Sequence, residues 1–93
     1  MICHIVPAAN WEQARLDGEY APASLASEGF IHFSTPAQLA DTAERHYAGV
    51  EGLLVLHVEE AEVTDALRWE NGYPHLYAPL DVDAVSAVTP LPE

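Results

Sequence analysis

The stretch EGFIHFSTP, residues 28–36, predicts a strand that ends where a helix begins. Its side chains alternate, so Ile31 and Phe33 fall on one face, and His32 and Ser34 fall on the other. An imidazole beside a hydroxyl at this point indicates a ligand site. The same pattern also fits the solvated face of a half-buried sheet.

A helix is predicted directly after this strand. Thr35 is a good N-cap, Pro36 suits the first helical position, and the pattern continues to Tyr47 before Gly49. The N-terminus of a helix attracts anions, because its free N–H groups point outward. His46 falls on the apolar side of this helix and is predicted to have a structural role, as is His57 within an apolar run.

Further elements follow from the same reading. Strands are predicted at residues 2–6, 53–58, 67–70, 76–80 and 86–89, and helices at residues 11–16 and, as a short turn, 24–28. The Asn-Gly pair at residues 71–72 is a strong turn signal, and residues 90–93 are expected to fray. The sum is a single domain, residues 1–93, of the α+β class: two main helices on a compact mixed or antiparallel sheet.

Charge restricts the partners. The net charge is −12, there is no lysine, and three arginines, Arg15, Arg45 and Arg68, are the whole basic complement. Nucleic acids and anionic membranes are bound through lysine and arginine patches, so neither is expected as a partner. A small-molecule ligand, including an anionic one, remains compatible with the composition. Protein partners stay an open question at this point.

The compartment is expected to be the cytoplasm. Cys3 is the single cysteine, so no internal disulfide can form, and it is expected to be buried. The N-terminal segment has no basic region and too short an apolar run for a signal peptide or a membrane span.

Polar residues recur on the faces of several predicted strands. On residues 67–70, Arg68 and Glu70 share one face, and Leu67 and Trp69 share the other. If the strands belong to one sheet, these groups join His32 and Ser34 in a patch suited to acid–base chemistry. His4 lies in an otherwise apolar strand, and His75 lies in YPHLY, residues 73–77.

A metal site is the competing prediction. His4, His32, His75 and Glu70 supply ligand types that Zn²⁺ and Fe²⁺ accept. The chain has no HExxH or CxxC motif, so we expect no metal.

Two longer segments resemble a known family. HIVPAANWEQARLDGEYAPASLASEGFIHFSTPAQL, near the N-terminus, and RWE followed by YPHLYAPLDVDAV are similar to the DUF952 family of small bacterial domains. The likeness runs from Ile2 to about Pro90. It implies a compact relative of the ADP-ribosyltransferase fold, similar to the NAD-binding half of rifampin ADP-ribosyltransferases and RNA 2′-phosphotransferases.

The resemblance implies roles for particular residues, with NAD as substrate. His4 contacts the ribose on the nicotinamide side, and Glu70 stabilises an oxocarbenium-like ribose. The candidate catalytic residues are His4, His32 and Glu70. The candidate ligand-binding residues are Ser34, Thr35, Tyr20, Arg68, His75 and Tyr77.

Three functions stay open at this point. One is an enzyme that cleaves NAD, by ADP-ribosyl transfer or glycohydrolysis. Another is a binding module for a nucleotide-like or sugar-phosphate ligand, because the first strand reads His4-Ile5-Val6 where transferases of this fold carry His-Gly-Thr. The last is an acidic interaction domain without a pocket, which is favoured by the net charge.

Overall fold

The fold was analysed in a computed structural model that describes residues 1–91. The strands are β1 (Ile2–Pro7), β2 (Glu19–Tyr20), β3 (Ile31–His32), β4 (Leu53–Val58), β5 (Leu67–Glu70), β6 (Tyr73–Leu76), β7 (Leu80–Asp81) and β8 (Val85–Pro90). The helices are α1 (Ala8–Asp17), α2 (Ala23–Ser27) and α3 (Leu39–Tyr47). Three short 3₁₀ turns span Glu60–Glu62, Thr64–Ala66 and Val82–Ala84. Residues 92–93, part of the segment predicted to fray, lie outside the described residues.

The strands form three antiparallel groups. Their orders are β1-β4-β8, β3-β6-β5 and β2-β7. An antiparallel bridge between Cys3 and Ser34 joins the first two groups, with N–H to carbonyl distances of 2.7 and 2.8 Å. The prediction of an α+β fold with an antiparallel sheet is therefore confirmed.

The core lies on one face of β1 and β4. Ile2 and Val6 on β1 and Leu56 and Val58 on β4 are fully buried there, together with Trp11 of α1. Side chains alternate along a strand, so His4 lies on the same face as Ile2 and Val6. A polar ring is thus built into the core side of the first strand.

The hairpin of β5 and β6 differs from the sequence prediction. Asn71 and Gly72 both have positive φ, 54° and 81°, and pair Glu70 directly with Tyr73. Such a two-residue turn joins two antiparallel strands with no further loop residues between them. The strand therefore begins at Tyr73 instead of residue 76. The predicted strand at residues 76–80 is wrong, because β6 ends at Leu76 and β7 pairs with β2.

The expected apolar face of β5 is also wrong. Trp69 is 49% exposed, although it shares a face with Leu67. Leu67, on that face, packs against the core, whereas Trp69 lies nearer the hairpin turn, beyond the part of the face that the core covers.

Candidate functional site

A cleft of about 670 Å³ opens beside β1. Its walls come from β1, β3, the end of α3 and the hairpin of β5 and β6. This volume lies within the range of about 300–1,000 Å³ that small-molecule sites occupy. Six of the predicted site residues line it: His4, Tyr20, His32, Ser34, Glu70 and His75. Thr35, Arg68 and Tyr77 are not among the described residues of the lining.

His4 is held by two hydrogen bonds. Its Nδ1–H donates to the carbonyl of His32 at 2.5 Å, and its Nε2 accepts from the Tyr20 hydroxyl at 2.7 Å. A neutral imidazole has one donor and one acceptor, so these partners match its neutral form. Burial lowers the pKa of His4 from 6.5 to about 4. His4 is therefore an uncharged, oriented group near neutral pH.

Tyr20 and Phe33 enclose the His4 ring. The ring centroid of His4 lies 5.2 Å from that of Tyr20 and 5.5 Å from that of Phe33. Burial raises the pKa of the Tyr20 hydroxyl, so it keeps its proton. Since that proton is donated to His4, the lone pairs of the Tyr20 oxygen can accept a hydrogen bond from a ligand hydroxyl.

His32 and His75 are neighbours across β3 and β6. Their ring centroids are 6.2 Å apart, and the Phe30 ring lies 4.7 Å from His32 and 4.5 Å from His75. His32 Nε2 also lies 2.9 Å from the carboxylate of Glu28. His75 donates from Nδ1–H to the carbonyl of Tyr73 at 2.8 Å. This wall is an aromatic cluster in which both imidazoles have a hydrogen-bond partner.

Side chains of the turn before α3 bond to the backbone N–H groups there. Thr35 N–H donates to Gln38 Oε1 at 2.9 Å, and Gln38 N–H lies 3.2 Å from Thr35 Oγ1. This reciprocal pair has the pattern of a capping box, and it occupies the N–H groups of Thr35 and Gln38 in the turn that precedes α3. Ser34 is buried, and its Oγ pairs with Thr42 Oγ1 at 2.8 Å. Ser34 therefore lines the cleft, whereas Thr35 closes a turn at residues 36–38, and α3 begins only at Leu39, later than the predicted start at Pro36.

Glu70 lies at the end of β5, on the exposed side of the cleft. Its carboxylate accepts a hydrogen bond from the Tyr77 hydroxyl, and this bond raises the pKa of Tyr77. Arg68 donates instead to the carbonyl of Leu67 at 3.0 Å. Tyr77, which is outside the described lining, therefore bonds to Glu70, whereas Arg68 bonds to the backbone of its own strand.

The structure adds a group that sequence reasoning missed. Arg45 and His46, in the last turn of α3, line the cleft together with Thr42. His46 is exposed, so the prediction that it lies on an apolar side of the helix in a structural role is wrong. Thr42, Arg45 and His46 are spaced i, i+3 and i+4, which places them on one helix face. That spacing, in the helix that follows the His32–Ser34 strand, is the signal that could have found them. His57 does have a structural role, with Nε2 lying 2.8 Å from Thr89 Oγ1.

The charge of the cleft differs from that of the chain. Four of the five histidines and Arg45 line it, although the chain has a net charge of −12. Among residues 1–91, Glu70 is the single acidic residue of the lining. The described lining thus carries one permanent cation, Arg45, and one carboxylate, Glu70, together with four imidazoles, of which that of His4 is uncharged near neutral pH.

Two other expectations were compared with the structure. Within residues 1–91, no group of three or more histidine, cysteine or acidic side chains is close enough to hold a metal ion, so the metal alternative has no geometric support. The helices described here are all too short or too polar to traverse a bilayer.

Comparisons with known proteins complete the description. Protein CC0527 from Caulobacter crescentus is similar to this chain: its crystal structure gives a TM-score of 0.91 at 34% identity, over 98% of this chain and 85% of that one. Its solution NMR structure gives a TM-score of 0.85 at 34% identity, over 97% and 83%. No curated protein matches. The resemblance to ADP-ribosyltransferases receives no support from these matches. The model of the family described as "Protein of unknown function (DUF952)" matches residues 5–88, and the chain belongs to that family.

Proposed function

We propose that the cleft binds NAD⁺ and that the protein cleaves the bond between nicotinamide and ribose, passing ADP-ribose to water or to a small acceptor. The observation that carries this proposal is the pair of charged side chains in the described cleft lining, where Arg45 is the one permanent cation and Glu70 is the one carboxylate. NAD⁺ has the complementary pattern, since an anionic pyrophosphate joins it to a cationic nicotinamide ring.

Glu70 is assigned to the reacting ribose. Breaking the glycosidic bond leaves positive charge on the ribose, and a fixed carboxylate stabilises charge that develops in the transition state. The hydrogen bond from Tyr77 orients the Glu70 carboxylate toward one geometry. Glu70 is therefore the catalytic residue of this proposal.

His4 and Tyr20 are assigned to positioning. His4 is neutral and buried, so it does not exchange protons with the substrate near neutral pH. It fixes the Tyr20 hydroxyl, whose oxygen accepts a hydrogen bond from a ribose hydroxyl. Holding the sugar in one orientation lowers the entropic part of the barrier. His32 and His75, beside Phe30, offer flat rings to the nicotinamide.

The reaction balances without a further reagent. The C1′–N bond breaks, and its electron pair leaves with nicotinamide, which becomes neutral. Water forms the new bond to C1′ and loses one proton to Glu70 and then to solvent. The products are nicotinamide, ADP-ribose and one proton. With a net charge of −12, nucleic acid is not proposed as the acceptor.

Release of nicotinamide from NAD⁺, followed by chromatography, tests this proposal. Glu70→Gln should reduce turnover at least 100-fold, as expected when a fixed charge that stabilises the transition state is removed, and should leave NAD⁺ affinity within a few-fold. Glu59→Gln is the matched control, because Glu59 is exposed and lies outside the cleft lining described here. Equal turnover in Glu70→Gln and the wild type would contradict the catalytic assignment.

A binding module is the second candidate. It is favoured by the engagement of the Glu70 carboxylate with the Tyr77 hydroxyl, which occupies one of its oxygens before any ligand arrives. This candidate predicts saturable binding of NAD⁺ by the wild type with no nicotinamide released. Measuring NAD⁺ binding and nicotinamide release in the wild type therefore separates the two functions.

A further inference from the structure

We infer that Arg45 and His46, in the last turn of α3, form a subsite for the phosphate groups of the ligand. The inference rests on the proposed function, because it assigns the pyrophosphate of NAD⁺ to one part of the cleft. This subsite lies at the C-terminal end of α3, whereas the sequence had indicated an anion site at the start of the helix.

Arg45 is held with one edge free for a ligand. Its Nε lies 3.1 Å from Asp41 Oδ2, one helical turn earlier. A guanidinium has a planar fork of five N–H groups, and the carboxylate of Asp41 lies on the Nε side of that fork. The two terminal nitrogens keep the paired geometry that suits a phosphate. Asp41 therefore positions Arg45 by restricting its rotamers.

His46 and two hydroxyls complete the subsite. Arg45, His46, Thr42 and Ser34 all line the same cleft. The hydroxyls of Ser34 and Thr42 are 2.8 Å apart, and either of them can be the donor of that hydrogen bond. The hydroxyl that accepts keeps its own proton for a phosphate oxygen. The subsite thus combines a permanent cation, an imidazole and a hydroxyl pair.

The alternative position at the helix start is occupied by protein groups. The N–H groups of Thr35 and Gln38 bond within the capping box, and Thr35 is not among the described residues of the cleft lining. An anion there would have to displace the Gln38 side chain. The end of α3 requires no such displacement, since Arg45 and His46 are both exposed.

Isothermal titration with three probes tests the subsite: NAD⁺, inorganic pyrophosphate and nicotinamide riboside, which lacks the pyrophosphate. Arg45→Gln should weaken NAD⁺ and pyrophosphate about tenfold, as expected for the loss of a charge-assisted hydrogen bond. Nicotinamide riboside should bind the variant and the wild type equally. Arg15→Gln is the matched control, because Arg15 is also an exposed helical arginine, 3.2 Å from Glu12. Amide spectra of each variant establish that it is folded.

The outcomes separate the two proposals. Wild-type binding of pyrophosphate without binding of NAD⁺, lost in Arg45→Gln, would overturn the proposed function and support the subsite. Binding of NAD⁺ that is unchanged in Arg45→Gln, or weakened equally in Arg15→Gln, would overturn the subsite alone. Absence of binding for all three probes would overturn both.

Discussion

The cleft has two parts that differ in how their polar groups are satisfied. The cleft floor comprises His4, Tyr20 and Phe33, which are buried and held by one another and by the backbone of β3. The cleft rim comprises His32, Arg45, His46 and Glu70, which are exposed. The floor belongs to the core, whereas the rim can change with little cost to folding. Substitutions in the floor should therefore affect stability, and substitutions in the rim should affect ligands.

Two basic residues of the rim each have an acidic neighbour on the same segment of chain. Glu28 holds His32, and Asp41 holds Arg45, both at i,i+4 spacing and both well exposed. Exposed ion pairs contribute little to stability. Their effect is to restrict the orientation of a basic group beside the cleft.

The largest effect is expected from removal of His4. His4→Ala should lower the free energy of unfolding by about 3–5 kcal/mol, because it leaves a cavity and removes the partner of the Tyr20 hydroxyl and the His32 carbonyl. Urea unfolding measures this. His46→Ala is the comparison on the rim and should change stability by less than about 0.5 kcal/mol. Equal losses in the two variants would remove the distinction between floor and rim.

The second-largest effect is expected from acid, which should lower the free energy of unfolding through His4. The pKa of His4 is 6.5 in an ordinary setting and about 4 in the folded protein. Between these values the unfolded chain binds a proton that the folded chain does not, so stability falls as pH falls. The loss that His4 contributes amounts to about 3 kcal/mol once pH reaches 4.

The measurement is urea unfolding from pH 7.5 to 4, with His4→Gln as the matched variant. The wild type should lose more stability than the variant over this interval, because the variant has no imidazole at this position. NMR of the His4 ring should show it unprotonated at pH 5.5. A ring that is half protonated at pH 6.5 would contradict the assignment.

Removal of one hydroxyl from the floor should have an intermediate effect. Tyr20→Phe leaves His4 Nε2 without its donor and should cost about 1–2 kcal/mol of stability. Tyr77→Phe removes the exposed hydroxyl that bonds Glu70, and should cost less than about 0.5 kcal/mol. Thermal unfolding of both variants measures the difference, and a larger loss for Tyr77→Phe would reverse the expected order.

The smallest effect is expected at the pair of Glu28 and His32. Exposed pairs of this type contribute about 0.2–1 kcal/mol, so a double-mutant cycle of Glu28→Gln and His32→Gln should give a coupling in that range. A coupling above about 2 kcal/mol would mean that this part of the rim is structural.

The sequence allowed much of the fold to be predicted, for local reasons. Apolar runs marked β1 and β4, and the Asn-Gly pair marked the hairpin turn. Trp69 and His46 were expected on apolar faces, but both are exposed, because burial depends on what packs against the end of the strand and against the helix. Those facts are tertiary, and local periodicity does not contain them.

The candidate site shows the same limit. Alternation along the predicted strands, histidines in the segments MICHIV and YPHLY, and the family resemblance together led to six residues that do line one cleft. Arg45 and His46 were missed, because the end of α3 reaches the cleft only through the way the helix packs. Thr35 was assigned to an anion, whereas Gln38 three residues later closes a capping box that the pattern T-x-x-Q already contains.

In the proposed function, NAD⁺ binds between the buried cleft floor and the exposed side chains of the cleft rim. A ¹H–¹⁵N NMR titration with NAD⁺ tests it most directly. Saturable shifts are expected at Tyr20, Arg45, His46 and Glu70, with β8 unchanged as an internal control. Absence of shifts at millimolar NAD⁺, or shifts centred on β8, would contradict it.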